Sequence, residues 1–263
     1  MVCWARPGVG AVATQGLVEV AYGPRGLEHM ASGDAAATAL HTLLAEDESE
    51  AVRQVAMVDV HGRVAVHTGA RAIAHAGHRV GEGVSVQANM MRSDGVPDAM
   101  LAAWRESRGP LAERMLACLD AAEQAGGDLR GRQSAAMCVV AAKPGDDPLT
   151  DRPVDLRVDD HPEPLAELRR LLVQRRAYDH QERGENLAAA GDLDGALTEF
   201  DAAGRLAPGN TEIAFWRGVA LTSLGRPGEA KPLLDSAFAQ DEGWKELYGR
   251  LPDAGLLAPE HGL

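Results

Sequence analysis

The chain has 263 residues, of which 45% are apolar, 25% charged and only 4% aromatic, so its core must rest on Ala, Val and Leu rather than on large rings. Lysine and arginine total 26 against 39 aspartates and glutamates, a formal charge of −13, and no basic run occurs, which argues against a nucleic-acid or anionic-membrane footprint. No apolar stretch nears the roughly 20 residues that span a bilayer, the start has no charged-then-apolar signal pattern, and the widely spaced Cys3, Cys118 and Cys138 fit reduced thiols in the cytoplasm.

Residues 7–176 read as mixed α and β. Val9–Thr14 is a short apolar run between glycines and predicts a buried strand. Pro24–Leu44 has helical apolar spacing broken at Ser32-Gly33-Asp34, with Asp34 the expected N-cap of the second piece. Gln54–Val60 and Arg63–Thr68 flank His61-Gly62 and predict a β-hairpin. Val84–Asn89 alternates as a further strand. Pro97–Glu106 and Leu111–Gln124 predict helices, the second opened by Pro110. Ser134–Ala142 and Val154–Val158 read as strands, and Pro164–Arg176 as a helix with a leucine stripe. Helices between hairpin-paired strands point to an α+β layered sandwich over residues 1–163.

The C-terminal third repeats itself at an offset of 34. Gly184 pairs with Gly218, Leu187 with Leu221, Gly191 with Gly225, Ala196 with Ala230, Phe200 with Leu234 and Ala203 with Ala237. Small residues at these positions let two helices approach closely, and the Gly191/Gly225 pair marks the turn between them. This register resembles the tetratricopeptide repeat over residues 177–243, within an all-α segment expected at 164–243, with 244–251 as a further cap and a tail to 263. Residues 177–263 carry seven basic and fifteen acidic side chains, so their surface suits a basic or neutral protein or peptide partner.

Three polar clusters interrupt the apolar pattern. The glycine-rich loop Gly126–Ser134 places Asp128, Arg130, Gln133 and Ser134 at the mouth of a strand; Asp155–His161 sets Asp155, Arg157 and Asp159 on one strand face; Gln87 and Asn89 end another strand, near His67, His75 and His78 in sequence. An arginine beside carboxylates can clamp a planar anion or serve a structural ion-pair network. Other signals fall away. Gly8-Val-Gly-Ala-Val-Ala13 has the outline of a dinucleotide fingerprint, but no strand is expected in the seven residues before it. His75-Ala-Gly-His78 lacks further ligands, so it reads as structural, and no metal or cofactor is expected. Tyr22-Gly-Pro-Arg-Gly26 reads as a turn.

Trp4-Ala-Arg-Pro-Gly-Val-Gly-Ala-Val-Ala-Thr-Gln15, Tyr22-Gly-Pro-Arg-Gly-Leu27, Arg53-Gln54, His67-Thr-Gly69, Ala76-Gly-His78, Gln87-Ala-Asn-Met90, the Gly126–Ser134 loop and Asp155–His161 resemble, in order, the bacterial domain-of-unknown-function family ten-twenty-eight over about residues 4–172. The resemblance implies the four-layer αββα fold of N-terminal-nucleophile hydrolases, amide-bond hydrolysis, and, in some members, helical repeats with a peptidoglycan-binding-like tail, here Asp241–Leu257. It implies no substrate.

An N-terminal nucleophile needs Ser, Thr or Cys at position one, where its own α-amine serves as base. The family resemblance implies a leading strand pair that begins with Thr, ahead of the Trp-Ala-Arg motif. Here Trp4 already stands near the start, loss of Met1 would expose Val2, and none of the 29 glycines is followed by Thr, Ser or Cys. The expectation is therefore of an amidohydrolase frame whose nucleophile lies upstream of Met1, with a non-catalytic interaction protein as the alternative. In the hydrolase, Asn89 serves as oxyanion donor, Asp128 and Arg130 orient a small polar amide, and Gln133, Arg157, Asp159, Asp160 and His161 line the substrate cleft.

Overall fold

The computed structural model describes residues 3–145 and 151–258. Met1 and Val2, whose exposure bears on the nucleophile question, and the last five residues of the tail lie outside them. The chain divides into two compact units, Met1–Arg169 and Arg170–Leu263.

The first unit opens with a hairpin. β1 (Cys3–Arg6) pairs antiparallel with β2 (Gly10–Gly16), Cys3 opposite Ala13 and Arg6 opposite Gly10. The sequence reading left no room for a strand before Gly8, but four residues suffice because β2 supplies the whole partner edge. Pro7-Gly8 makes the turn, with Gly8 at φ +68. A strand that returns as a hairpin cannot feed a helix N-terminus, so the dinucleotide fingerprint is void for a second reason.

β3 (Arg53–Asp59) and β4 (Val64–Thr68) complete a four-stranded sheet of order β1-β2-β3-β4, with the predicted turn at His61-Gly62. One face is covered by α1 (Tyr22–Ala31) and α2 (Ala36–Ala45). The expected turn at Tyr22–Gly26 is instead the start of α1. Pro24 falls in the first helical turn, where amide hydrogens have no intrahelical partner. Gly23 and Gly26 allow contact with the sheet: a Cβ on Gly23 would sit 2.2 Å from the Trp4 ring and one on Gly26 2.8 Å from Met57 Cε. Asp34 does not cap α2. It pairs with His29, and Asp59 Oδ2 takes the Ala36 amide at 3.2 Å.

Against the opposite face of this sheet lie two separate hairpins. β5 (Gly77–Gly81), which carries no alternating pattern and was not expected as a strand, pairs with β6 (Val84–Ala88). β7 (Ala135–Val139) pairs with β8 (Val154–Val158). α3 (Val96–Glu106) and α4 (Leu111–Gln124) form the outer layer against β5, β6 and β7. The result is the expected α+β sandwich, helices outside and strands within, with its second strand layer in two parts.

α5 runs without a break from Pro164–Ala189, past the predicted end at Arg176. The second unit continues with α6 (Leu193–Leu206), α7 (Thr211–Ser223), α8 (Pro227–Gln240) and α9 (Glu242–Arg250). Asp192 and Asn210 cap α6 and α7 through their side chains. The small residues of the repeat register are at the helix contacts: Ala196 and Ala203 are fully buried, and Gly184 lies against the Phe200 ring. Tyr248, Leu251 and Leu257 join the core formed by Phe200, Phe215 and Leu234. No helix among the described residues is long and apolar enough to cross a membrane.

Candidate active site

Three polar side chains stand side by side across the first sheet. Gln15 on β2 is opposite Gln54 on β3, and Gln54 is opposite Thr68 on β4. Gln54 is fully buried and every polar atom of its side chain is engaged. Its Nε2 donates toward Thr68 Oγ1 at 3.0 Å, Gly77 O at 3.1 Å and Ala88 O at 3.0 Å; its Oε1 accepts from Gln15 Nε2 at 2.7 Å and Asn89 Nδ2 at 3.0 Å. A buried amide satisfied in this way fixes its neighbours. It ties the end of the first sheet to both strands of the β5–β6 hairpin.

The network ends on histidine. Thr68 Oγ1, an acceptor for Gln54, lies 2.8 Å from His78 Nδ1 and can give it its own proton. Burial, the Arg79 charge and His67 hold His78 below the usual histidine range, so the ring is neutral at physiological pH. The cluster of Gln87, Asn89 and histidines read from sequence thus contributes Asn89 and His78. His67 turns away onto Glu50, 2.9 Å from its carbonyl oxygen.

The Gly126–Ser134 loop comes to the same place. Met91 forms a β-bridge with Asp128, Leu129 N donates to Met90 O at 2.9 Å, and Arg92 N donates to Gly127 O at 3.0 Å. Asn89, Asp128 and Arg130 are therefore on adjoining segments, but Asp128 and Arg130 face one another. Arg130 Nε and Nη2 grip the Asp128 carboxylate at 2.9 and 2.6 Å, which keeps that carboxyl well below its ordinary pKa.

The remaining candidates lie along β8 and its exit. His161 N donates to Gln133 O at 2.8 Å, which joins those two segments. Arg157 pairs with Asp159 at 2.5 Å, Arg152 with Asp155 at 2.8 Å, and Gln133, Asp159, Asp160 and His161 are exposed. On this face arginines and carboxylates satisfy one another in water, where such pairs contribute little.

Between the two hairpins of the second layer lies an apolar slot of about 570 Å³. Its floor is β1, β2 and β3, with Ala5, Ala13 and Val58; its roof is α3 and α4, with Met100, Trp104 and Met115. Its sides are β6 (Val84, Val86, Gln87) and β7 (Met137, Val139), while no residue of β5 or β8 lines it. Each side strand has only one partner among the described residues, so both turn an unpaired edge toward the slot. Gln15 and Gln87 supply polar groups, and Gln87 Oε1 is buried there without a hydrogen-bond partner among the described residues.

Cys3 and Cys138 also line the slot. Burial, then the Asp155 charge, pushes the Cys3 thiol up, and burial does the same to Cys138. Both are protonated thiols at neutral pH, poor as nucleophiles. No group of three or more metal-ligating side chains occurs among the described residues.

The comparisons agree with this architecture. Residues 1–168 match the family of unknown function DUF1028. The chain belongs to that family. Residues 187–251 match the tetratricopeptide repeat, so the DUF1028 domain is followed by a helical-repeat segment. The crystal structure of a DUF1028 protein from Silicibacter pomeroyi is similar, at 31% identity and a TM-score of 0.58, over 65% of this chain and 74% of that one. No curated protein matches the chain.

Sequence reasoning left Gln54 and Gln15 without a role, although both stand in the motifs quoted above. The usable signal was polar residues at the ends of apolar strands, but only strand register shows that they adjoin.

Proposed function

We propose that the DUF1028 domain is the frame of an N-terminal-nucleophile amidohydrolase whose nucleophile is borne on extended chain seated in the slot between β6 and β7. The slot itself carries this reading. Two facing strand edges need main-chain partners, since an unpaired buried N–H or C=O costs about 1–3 kcal/mol. A small apolar ligand would leave both edges unmet. Strands between β6 and β7 would pair with each, give Gln87 Oε1 a donor, and merge the two hairpins into one sheet beneath α3 and α4.

In this reading the leading hydroxyl adds to the amide carbonyl while its proton passes to the α-amine. The tetrahedral intermediate then expels the amine, which takes that proton, and water hydrolyses the ester that remains. Asn89 contacts the substrate amide, Asp128 and Arg130 orient it, and Gln133, Arg157, Asp159, Asp160 and His161 flank the approach. A form of the chain extended upstream in its natural reading frame should hydrolyse an amide, and Thr→Ala at its exposed first residue should abolish turnover without unfolding it. Turnover that survives this change ends the reading.

The repeat match supports a second reading, in which the helical segment recruits a basic or neutral peptide and the DUF1028 domain is a scaffold. Full-length protein should then bind a lysine- and arginine-rich peptide in a salt-sensitive manner by fluorescence anisotropy; absence of binding to both basic and neutral peptides counts against it. Either reading suits the cytoplasm, as three free cysteines do.

A further inference from the structure

Beside the Gln54 network is a small cleft of about 20 Å³, room for one water-sized group, lined by Gly16, Leu17, Val52, Arg71, Ile73, Asn89 and Met90. We infer that this cleft takes the carboxylate end of an N-acyl amino acid with an aliphatic side chain. The inference takes its site from the amidohydrolase reading and adds the substrate class.

Three observations converge on that chemistry. The first is the orientation of Asn89. Gln54 Nε2 faces the carbonyl oxygens of Gly77 and Ala88, which can only accept, so Gln54 Oε1 is the atom that meets Asn89. Asn89 must therefore turn its Nδ2 inward. Its Oδ1 makes no hydrogen bond to any described residue, and it is the natural contact for a substrate N–H. Asn89 thus serves as an acceptor here rather than as the oxyanion donor expected from sequence.

The second is Arg71. It lines the cleft, and among the described residues no ion pair or side-chain hydrogen bond engages its guanidinium. Its guanidinium is free to take a ligand carboxylate by paired, charge-assisted bonds. The third is the rim. Leu17 and Ile73 are 55% and 53% exposed at the cleft, and Arg53 Nη1 holds the Leu17 carbonyl at 2.6 Å. Met90 closes the cleft at φ +58, a left-handed conformation costly for a non-glycine residue.

An N-acyl amino acid carries its carboxylate, amide N–H and side chain on a single Cα. Arg71, Asn89 Oδ1 and the Leu17–Ile73 rim meet all three. Gln15, which shares Gln54 Oε1 with Asn89, also lines the slot, so the acyl carbonyl would lie toward the nucleophile-bearing strands.

The test is calorimetric titration of the 263-residue chain with N-acetyl-L-leucine, N-acetyl-L-leucinamide and N-acetyl-N-methyl-L-leucine. The acid should bind saturably, and the amide and the N-methyl acid each about tenfold more weakly. Arg71→Ala, an exposed substitution whose folding is checked by circular dichroism, should bring the acid down to the level of the amide, and Arg71→Lys should restore part of the loss. No saturable binding of the acid, equal binding of acid and amide, or unchanged binding by Arg71→Ala overturns the inference. Binding as described without turnover in the upstream-extended form would instead remove the amidohydrolase reading alone. Turnover of carboxylate-free amides that Arg71→Ala leaves untouched would remove the substrate class alone.

Discussion

Gln54 and Asn89, on different strand layers and 35 residues apart, share a buried hydrogen bond of 3.0 Å from Asn89 Nδ2 to Gln54 Oε1. The same oxygen accepts from Gln15, so three carboxamides meet at one point and one of them orients the other two. The end of the first sheet, the β5–β6 hairpin and the cleft are registered against each other through this side chain.

Gln54→Leu keeps the size of the side chain and removes every polar contact. Gln15 and Asn89 lose their acceptor, and Gly77 O and Ala88 O lose their donor. We expect a loss of about 2–4 kcal/mol in urea unfolding, more than a neutral surface change gives. Gln54→Glu should be at least as damaging, because a carboxylate would face two carbonyl oxygens. A full loss in Gln54→Leu together with unchanged Asn89 side-chain amide resonances would show that Gln54 does not position Asn89.

Asp59 anchors the β3–β4 turn and the start of α2. Its buried carboxylate accepts from Ala36 N, His61 N, Arg63 N and Arg63 Nε at 2.7 to 3.2 Å. Burial works against its charge, yet these four donors outweigh it and hold the pKa below the ordinary aspartate value. The stability it confers is complete above the unfolded value of about pH 3.9 and is lost as pH falls through the lower folded value. Asp59→Ala should cost about 2–4 kcal/mol near neutral pH, and the gap between variant and parent should close in acid.

His78 has the opposite sense. Its folded pKa is depressed, so between that value and the unfolded value of about 6.5 the unfolded chain binds the extra proton and stability rises with pH. Above about pH 6.5 the contribution is complete, and it falls as the solution is acidified through that window. Proton NMR should find the His78 ring titrating below the ordinary histidine value, and Thr68→Val should remove the hydroxyl partner of Nδ1 and change that midpoint. A ring that titrates at the ordinary histidine value excludes the network as drawn.

Two glycines in the helical repeats should respond in opposite directions to alanine. A Cβ on Gly184 would lie 3.0 to 3.1 Å from the ring of Phe200, which is buried and cannot swing aside. The better helix propensity of alanine is then outweighed by overpacking, and Gly184→Ala should destabilise by about 1–2 kcal/mol. At Gly204, also within a helix, a Cβ would meet nothing within 4 Å. Gly204→Ala should therefore stabilise by about 0.5–1 kcal/mol, read as a rise in thermal midpoint.

Much of the fold was legible because its signals are local. The turn at His61-Gly62, the strand at Val154–Val158 and the helices around Met100 and Leu116 follow from periodicity within a dozen residues. The 34-residue offset gave the repeat because equivalent small side chains must recur wherever helices meet closely. β1 and β5 were missed for one reason: four or five residues such as Gly-His-Arg-Val-Gly have no strand pattern of their own, and their partners define them. Tyr22–Gly26 was misread because glycine beside proline bends a free chain, yet in the first turn of α1 the same glycines admit Trp4 and Met57.

The candidate site was legible in its residue types but not in its pairings. Asp128 and Arg130 were visible as a polar cluster; that they grip each other depends on the loop closing over two residues. Asn89 was visible as the end of a strand; the direction of its amide depends on Gln54, far away in sequence.

By itself the sequence determined the α+β class, the hairpin turn, the repeat register and the family to which residues 1–168 belong, because each is written in spacing and residue type over short stretches. Only the tertiary structure decided which polar groups are buried together, that Arg71 and Asn89 line one cleft, and that two strand edges face one another across an apolar slot. Those are relations between distant segments, and their energies arise from burial and hydrogen-bond geometry, which no stretch of chain holds alone.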